Sequence, residues 1–314
     1  MTDRVPSRPR IALATCAAVP DLGPDAELVP ALAPFAAADV VVWNDPTVDW
    51  SEYDLVLIRS TWDYLADVDA FLRWADEVER HTTLLNPAGI VRWNCDKRYL
   101  AELAAAGVPI LPTRFVTAAD PATAVESAVA GYAATGDVVV KPSRSAGALG
   151  AGRFSDPAAA VAHTRVLLDA GQTVLVQPYL SSVDTRWETG VYLVGGVVTH
   201  AVRKRGLLRP DAAPATDHSL ADSQEVVATT PEPALVDFAR RVLAALPVPA
   251  PAYARVDIVE SADGPLLIEL ELIEPALFLD LTPGAAGRVV DALRGFVTRA
   301  TSSTDRVGGP LPRS

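Results

Sequence analysis

The sequence predicts an α/β fold in which an N-terminal lobe with a parallel sheet is followed by two α+β lobes. The first observation is the length, because 314 residues are enough for two or three packed lobes. The second is the alternation of short apolar runs, typical of strands, with longer amphipathic runs, typical of helices. The third is the hydrophobic content, 50% of the residues, which indicates a globular chain.

The N-terminal lobe is predicted to span residues 1–92, with the first residues as a loose tail. Its strands are predicted at Ile11–Ala14, Val40–Trp43 and Leu55–Ile58, and its helices at Ala26–Ala38 and Val68–Arg80. This order of strands and helices favours a small parallel sheet covered by helices.

The central lobe is predicted to span residues 93–180. Asp96–Ala106 has a helical pattern and is followed by Gly107, a common stop signal for helices. The other elements are predicted as a strand at Thr113–Val116, a helix at Ala122–Ala134, a strand at Asp137–Lys141, a loop of small residues at Pro142–Arg153, a helix at Pro157–Asp169 and a strand at Val174–Tyr179.

The C-terminal lobe is predicted to span residues 181–302, followed by a disordered tail at residues 303–314. Arg205–Ser223, which holds His218, is polar and too long for an ordinary connection, so it is predicted to be a mobile loop. The regular elements are predicted as strands at Thr189–Val194 and Val197–Val202, a helix at Pro233–Leu246, a hairpin at Tyr253–Glu271 and a helix at Gly287–Ala300.

Charge and cysteine content exclude several classes of protein. A net charge of -12 argues against nucleic-acid and anionic-membrane binding, so no partner of either kind is expected. Cys16 and Cys95 give no disulfide framework and fit a reducing compartment, which predicts a cytoplasmic protein. No stretch approaches the roughly 20 apolar residues of a transmembrane helix. The sequence leaves a homodimer open.

The C-terminal hairpin concentrates acidic residues on one face. A three-residue loop at Ala262–Gly264 would pair Asp257 with Glu269 and Arg255 with Glu271, and all four side chains would share a face. Directly opposed acids repel one another, and a divalent cation with hard oxygen ligands, Mg²⁺ or Mn²⁺, would relieve the repulsion. The alternative is the solvated outer face of an edge hairpin.

Lysine is rare in this chain, and each lysine lies in a segment with other functional signals. Only three of the 27 basic residues are lysines, Lys97, Lys141 and Lys204. Lys141 ends an apolar strand just before the small-residue loop, whose backbone N–H groups are suited to phosphate oxygens. A Walker A loop is excluded, since Arg153 and Phe154 stand where Lys and Ser/Thr are required. The alternative is a flexible Gly/Ala loop.

In this order the segments resemble the ATP-grasp superfamily. The resemblance extends from about Ile11 to Ala300 and rests on the order and spacing of several modest motifs. Those motifs are Lys97, Val-Val-Val-Lys141-Pro, Val-Gln177-Pro-Tyr-Leu, Glu188, Arg203-Lys204, Arg255-Val-Asp257 and Glu269-Leu-Glu271. Arg59-Ser-Thr-Trp-Asp-Tyr64, Trp93-Asn-Cys-Asp-Lys97 and Glu269-Leu-Glu-Leu-Ile-Glu274-Pro275 are similar to the branch that contains prokaryotic glutathione synthetase-like proteins and the D-cycloserine-forming cyclo-ligase of antibiotic biosynthesis.

The resemblance implies a set of binding roles for ATP and metal ions. Lys97 and Lys141 would hold phosphates, and the loop from Ser145 through Gly147 to Gly152 would cover them as a lid. The adenine pocket would comprise Gln177, Pro178, Tyr179 and Leu180, with Glu188 at the ribose. Two Mg²⁺ (or Mn²⁺) ions would be held by Asp257, Glu269 and Glu271, although the superfamily usually has Asn where this chain has Glu271.

The resemblance also implies an ATP-dependent carboxylate–amine ligase or cyclo-ligase acting on an amino-acid-like small molecule through an acylphosphate. Arg255 would stabilise the oxyanion, and Arg203 and Lys204 would contact the phosphate or acyl group. On the substrate side, Arg59 with Asp63 would grip a zwitterionic amino acid, together with Glu274. The alternatives are a small-molecule kinase on the same scaffold and a catalytically silent ATP-binding protein.

Overall fold

The first sheet is parallel, as predicted, in a computed structural model that describes residues 8–217 and 223–304. Its strands are β1 (Arg10–Thr15), β2 (Ala37–Val42), β3 (Leu55–Ser60) and β4 (Thr83–Leu85), in the order β2-β1-β3-β4. Every neighbouring pair runs parallel. The α/β fold class is therefore confirmed for the N-terminal part of the chain.

The helices of this part agree less well with the prediction. The expected helix at Ala26–Ala38 is only one short turn, α1 (Leu28–Leu32), and β2 begins at Ala37. Pro34 explains the early end, because proline has no backbone N–H with which to continue the helical hydrogen bonds. Helix α2 (Val68–His81) matches the prediction and begins at Asp67, whose side chain accepts a hydrogen bond from the Ala70 N–H at 2.9 Å.

Two short helices connect the first sheet to the second. Helix α3 (Ala88–Asn94) was missed by the prediction, and α4 (Tyr99–Ala105) covers most of the helix predicted from Asp96. Gly107 follows α4 with a φ of 87°, a conformation that favours glycine and fits its predicted role as a helix stop.

The second sheet is antiparallel and has the order β5-β8-β6-β7. Its strands are β5 (Arg114–Val116), β6 (Val138–Pro142), β7 (Gly152–Phe154) and β8 (Val174–Pro178). Helices α5 (Ala122–Ala133) and α6 (Pro157–Asp169) pack on it through a core that contains Val129, Val140 and Ala160. Strand β7, which closes the small-residue loop, was not predicted.

The third sheet follows a single turn of helix, α7 (Ser182–Arg186), and has the order β11-β10-β9-β12-β13. Its strands are β9 (Glu188–Val194), β10 (Val197–Lys204), β11 (Val226–Thr229), β12 (Tyr253–Ser261) and β13 (Gly264–Glu271). Helix α8 (Pro233–Ala244) packs against the face with Val191 and Val256. Helix α9 (Ala285–Thr304) packs against the opposite face, with Tyr192 and Val202.

One prediction for the C-terminal part needs correction, since helix α9 continues through Thr304, beyond the predicted start of the tail at residue 303. The polar stretch after β10 contacts the central lobe: Arg153 and Pro210 form a β-bridge, and the Gly150 N–H donates to the Ala215 carbonyl at 2.9 Å. The mobility of this stretch stays a prediction. His218 and residues 305–314 lie outside the described residues. The lobe boundaries at residues 92 and 180 stay predictions.

Within the described part of the chain, no helix combines the length and the apolar character needed to cross a membrane.

Candidate active site

The acidic hairpin has the predicted register at its functional end and a different turn at its tip. Asp257 pairs with Glu269 and Arg255 with Glu271, as predicted. The predicted three-residue loop is wrong, because Ser261 pairs with Gly264 and leaves a two-residue turn. An irregularity between Asp257 and Ile258 inserts an extra residue on β13 and restores the register.

A cleft between the second and third sheets brings most of the predicted site residues together. The small-residue loop, the end of β8 and the acidic hairpin all contribute to its wall. The predicted residues that line it are Lys97, Lys141, Ser145, Gly147, Gln177, Pro178, Tyr179, Leu180, Glu188, Lys204, Arg255, Glu269 and Glu271.

Lys97 is held at one end of this cleft by neighbouring oxygen atoms. Its ammonium donates to the Ser145 carbonyl and lies 3.3 Å from the Ser145 Oγ and 3.1 Å from the Glu269 Oε1. Its backbone N–H donates to the Ser143 carbonyl at 2.8 Å, which fixes the start of α4 against the small-residue loop.

Lys141 differs from Lys97 because none of the described residues provides it with an anionic partner. Across residues 8–217 and 223–304, no side-chain hydrogen bond and no ion pair involves its ammonium group. Burial lowers its pKa and so does Lys97, while Glu269 and Glu188 act in the opposite direction. The cleft therefore presents a partly desolvated cation that an anionic ligand would stabilise.

Asp257 lies behind the cleft wall, 1% exposed, between two cations. Lys204 Nζ is 2.8 Å from its Oδ2, and Arg255 Nε is 2.8 Å from its Oδ1. Burial disfavours the charged carboxylate, but Arg255 and Lys204 outweigh burial and lower its pKa to about 2. Asp257 therefore carries a full negative charge at neutral pH.

Glu269 and Glu271 project from the same strand with about a quarter of each side chain exposed, 26% and 28%. Burial opposes the charge on Glu269, but Lys97 and Lys141 lower its pKa. Burial raises the pKa of Glu271 to about 6, although Arg255 forms a short ion pair with it and acts in the opposite direction.

The donor set fits a divalent cation at two of the three predicted ligands. Among the described residues no three acidic, histidine or cysteine side chains form a ready-made metal cluster. Glu269 and Glu271 present hard carboxylate oxygens to the cleft, which suits Mg²⁺. Asp257 is buried and is not on the cleft wall, and its carboxylate contacts Lys204 and Arg255.

The other end of the cleft is formed by the end of strand β8. Gln177 is buried and donates from Nε2 to the Thr113 Oγ1 at 2.8 Å. The guanidinium carbon of Arg153 lies 3.4 Å from the centre of the Tyr179 ring, and the Tyr179 hydroxyl donates to Asp184 at 2.6 Å. These contacts fix the edge formed by β8.

The small-residue loop carries left-handed backbone at Gly147 and Gly150, with φ values of 60° and 72°. Glycine adopts this conformation without the steric penalty of a side chain. His163 contacts the Gly150 carbonyl through Nε2 at 2.8 Å. The loop is thus anchored at its far end, and Ser145 and Gly147 lie on the cleft wall.

Five predicted residues do not line the cleft: Asp257, Glu274, Arg203, Arg59 and Asp63. Arg203 lies next to Lys204 on β10, and because consecutive strand residues point to opposite faces, only Lys204 lines the cleft. Arg59 is 1% exposed and donates to Asp25 at 3.3 Å. Asp63 accepts a hydrogen bond from Trp43 Nε1 at 2.7 Å. Arg59 and Asp63 therefore do not form the predicted zwitterion grip with each other.

Several residues that line the cleft were not predicted from the sequence. The turn after β10, Gly206–Leu208, lines the cleft. A Cβ added at Gly206 would lie 2.7 Å from Val183, so the glycine permits a close approach of the two segments. Ile268 also lines the cleft, because the extra residue on β13 turns it away from the core. Only Gly206 gave a signal in the sequence, a glycine after a basic strand end.

Glu274 lies three residues beyond the hairpin and is 9% exposed. Burial and the negative charge of Glu271 raise its pKa to about 8, while Lys97 and a hydrogen bond from Tyr64 act in the opposite direction. At neutral pH this carboxyl group is therefore largely protonated in the unliganded protein.

Glu274 is expected to make the unliganded protein less stable as the pH rises from about 6.5 to about 8. The folded state binds more protons than the unfolded state between the ordinary pKa of 4.5 and the folded value of about 8. The free energy of unfolding should thus fall, by at most about 1.4 kcal/mol per pH unit. Urea unfolding of the wild type and of Glu274→Gln over this range would measure the effect, and the variant should lose this slope.

The pH window separates Glu274 from other buried groups. Asp25 and Glu271, with pKa values of about 6, act mainly below it. His200, whose pKa burial lowers from 6.5 to about 4, has the opposite sign and also acts below it. Equal slopes in the wild type and the variant would contradict a raised pKa at Glu274.

The sequence matches a known family model over its N-terminal part and a known protein over most of its length. Residues 11–86 match the family model of the N-terminal domain of D-cycloserine synthetase DcsG. The chain is 37% identical over 264 residues to the cycloserine biosynthesis protein DcsG of Streptomyces lavendulae, a match that covers 82% of this chain and 87% of that protein.

Solved structures extend the similarity to the whole fold. The crystal structure of D-cycloserine synthetase DcsG superposes with a TM-score of 0.82 at 34% identity, over 93% of this chain and 99% of that chain. A D-alanine–D-alanine ligase from Bacillus anthracis superposes with a TM-score of 0.67 at 14% identity, over 94% of this chain and 99% of that chain. The latter similarity shows the fold alone.

Proposed function

The chain belongs to the D-cycloserine synthetase family of ATP-grasp ligases, and on that premise we propose that it closes a ring by joining an activated carboxyl group to a nitrogen of the same amino-acid-like molecule. The ligase class follows from the family. The ring closure is the proposal, and D-cycloserine, which the relatives are named for, is the product that we propose.

The ammonium group of Lys141 is the observation that carries this proposal. It lies on the cleft wall and forms no ion pair with any residue that the structure describes, in a chain whose net charge is -12. Lys97 and Lys204 line the same cleft. Three ammonium groups gathered against that overall charge favour a polyphosphate ligand, because each is a compact cation suited to clustered oxygens. We therefore assign the ATP phosphates to this end of the cleft.

The adenine and ribose are assigned to the other end. Gln177 to Leu180 supply the edge at the end of β8, and the Arg153 guanidinium packs on the Tyr179 ring. Glu188 is on the wall between this edge and Lys204, whose ammonium is 3.6 Å from the Glu188 Oε2. That position suits a carboxylate that accepts hydrogen bonds from ribose hydroxyl groups.

Glu269 and Glu271 would hold Mg²⁺, which ATP-grasp ligases use together with ATP, and the ion would neutralise charge on the phosphate oxygens. We propose two ions for this site. Asp257 would serve the site through Arg255 and Lys204, since its oxygens already bind these cations.

In the reaction, the substrate carboxylate attacks the γ-phosphorus and ADP leaves, which gives an acylphosphate. A nitrogen of the substrate then attacks the acyl carbon, phosphate leaves, and the nitrogen loses a proton. Arg255 is held by Asp257 and Glu271, so its guanidinium is already oriented to stabilise negative charge on the acyl oxygen. The small-residue loop and the segment at residues 205–217 would exclude water.

Turnover with ATP, Mg²⁺ and a panel of amino acids, dipeptides and ureido-amino acids tests the proposal. The panel should include β-aminooxy-D-alanine, because adding water across the ring C–N bond of D-cycloserine gives this compound. We expect equal amounts of ADP and phosphate and a product with the mass of D-cycloserine. A stable phosphate ester without a new C–N bond would instead identify a kinase, and ATP binding without turnover would identify a silent protein.

A further inference from the structure

The acidic side chains around the cleft are almost all neutralised by a cation of the protein. Each of five carboxylates has an arginine or lysine nitrogen within 3.6 Å. These pairs are Asp25 with Arg59, Glu188 with Lys204, Asp257 with Lys204 and Arg255, Glu269 with Lys97, and Glu271 with Arg255. The protein itself therefore satisfies the charges at these five positions.

Glu274 is the exception in this neighbourhood. Over the residues that the structure describes, no lysine, arginine or histidine forms an ion pair with its carboxyl group. The Tyr64 hydroxyl is its hydrogen-bonding neighbour, and Lys97 and Glu271, on the cleft wall, are close enough for their charges to act on it. Burying a carboxylate without a cation is unfavourable, which is why this group is largely protonated in the unliganded protein, and a cationic ligand would stabilise its charged form.

The backbone around Glu274 is fixed by hydrogen bonds from side chains of two sheets. Six consecutive carbonyl groups, Leu272 to Leu277, each accept a hydrogen bond from a different side chain. The donors, in order, are Asn86 at 2.6 Å, Tyr253 at 2.7 Å, Trp62 at 3.2 Å, Arg59 at 3.4 Å, Tyr192 at 2.6 Å and His200 at 2.8 Å. These donors belong to the first and third sheets and their connections, so the segment joins the two sheets.

Such a segment cannot move Glu274 away from its buried position without losing several hydrogen bonds. Each bond contributes about 1 kcal/mol, and a buried carbonyl left without a donor costs more. Asp25 strengthens the arrangement by accepting from the Leu277 N–H at 2.7 Å and pairing with Arg59. This segment thus holds the Glu274 carboxyl group, which has no ion-pair partner among the described residues, within reach of the charges of Lys97 and Glu271 on the cleft wall.

We propose that Glu274 binds the amino group of the substrate as an ammonium ion. The inference rests on the proposed function, which supplies an amino-acid-like substrate next to Lys97 and Glu271. The substrate ammonium supplies the cation, and Glu274 releases its proton to the solvent and binds the ammonium as a carboxylate. The fixed side chain then sets which end of the substrate faces the phosphates. Glu274 is thereby a specificity-determining residue for substrates with a free amino group.

Equilibrium binding of D-cycloserine in the presence of ADP and Mg²⁺ tests this assignment by calorimetry. Isoxazolidin-3-one, which is D-cycloserine without its amino group, serves as the matched probe. We expect the wild type to prefer D-cycloserine by about 10- to 150-fold, the range of a charge-assisted hydrogen bond. Glu274→Gln should lose that preference and bind isoxazolidin-3-one as the wild type does.

Two controls separate this effect from misfolding. Glu102→Gln makes the same chemical change at an exposed carboxylate that accepts from Trp93 at 3.0 Å, and it should bind both probes as the wild type does. ADP binding should be the same in all three proteins, and Glu274→Asp, which keeps the charge, should retain part of the preference.

The outcomes distinguish this inference from the proposed function. A Glu274→Gln protein that keeps the wild-type preference for D-cycloserine, or that loses affinity for both probes equally, overturns the role of Glu274 and leaves the proposed function intact. A wild-type protein that binds ADP but neither probe overturns the proposed function, and the inference with it.

Discussion

Methionine in place of Lys141 is expected to weaken ATP binding about 10- to 150-fold. One charge-assisted hydrogen bond contributes about 1.5–3 kcal/mol, which corresponds to that loss of affinity. Unlike most losses of a charged residue at an active site, this change should not destabilise the unliganded protein. Lys141 has no anionic partner in the described structure, and burial lowers its pKa. Methionine has a similar length and removes only an unfavourably placed charge.

The measurement is ATP affinity by calorimetry together with the melting temperature without ligand. Arg165→Met is a matched control, since Arg165 is half-exposed in the same lobe and pairs with Glu126 at 3.0 Å. It removes the same unit of charge away from the cleft and should leave ATP affinity unchanged. Unaltered ATP affinity in Lys141→Met would rule out the phosphate assignment, and a large loss of stability would show that the ammonium has a structural partner.

The elements that the sequence predicted best are those whose signals are local. Helix α6 (Pro157–Asp169) was predicted residue for residue, because Asp156 caps it and Pro157 occupies its first position. The parallel first sheet followed from apolar runs at regular spacing. Helix α1 failed where a second local rule, the break at Pro34, opposed an apolar pattern that continued past it.

The hairpin shows how a correct site can follow from an incorrect turn. The predicted loop was one residue too long, and the bulge beside Asp257 adds one residue back, so the two differences cancel at Glu269. No glycine or proline marks the bulge in the sequence. The repulsion between opposed acids still predicted the site correctly. It depends on which residues pair near the cleft, and that pairing is independent of the turn at the tip of the hairpin.

The sequence does not show which charged residues pair when they lie far apart along the chain. Lys204 and Asp257 are 53 residues apart, and Arg59 and Asp25 are 34 apart. A pattern of acids is therefore consistent with metal ligands and with buried ion pairs, and only the packing of the strands separates the two. For the same reason Arg203 and Lys204 could not be told apart until the structure showed which face of β10 borders the cleft.

Asparagine in place of Asp257 is expected to destabilise the unliganded protein by about 3–5 kcal/mol, the range for breaking a buried ion pair by removing one partner. Lys204 and Arg255 are 6% exposed and would both lose their main anion, although Glu188 and Glu271 remain nearby. The loss should appear at neutral pH, because the low pKa of Asp257, about 2, means that its charge contributes fully there. Chemical unfolding at neutral pH gives the difference directly.

Asp76→Asn is the matched control for this change, because Asp76 pairs with Arg92 at 2.7 Å on the surface. An exposed ion pair contributes about 0–1 kcal/mol, so the control should barely alter stability. A metal ligand that merely repels its neighbours in the unliganded state would behave in the opposite way, since its removal would stabilise the protein. A decrease in the free energy of unfolding would show that Asp257 holds Arg255 and Lys204 in place. An increase would show that it repels its neighbours in the unliganded protein, as a metal ligand would.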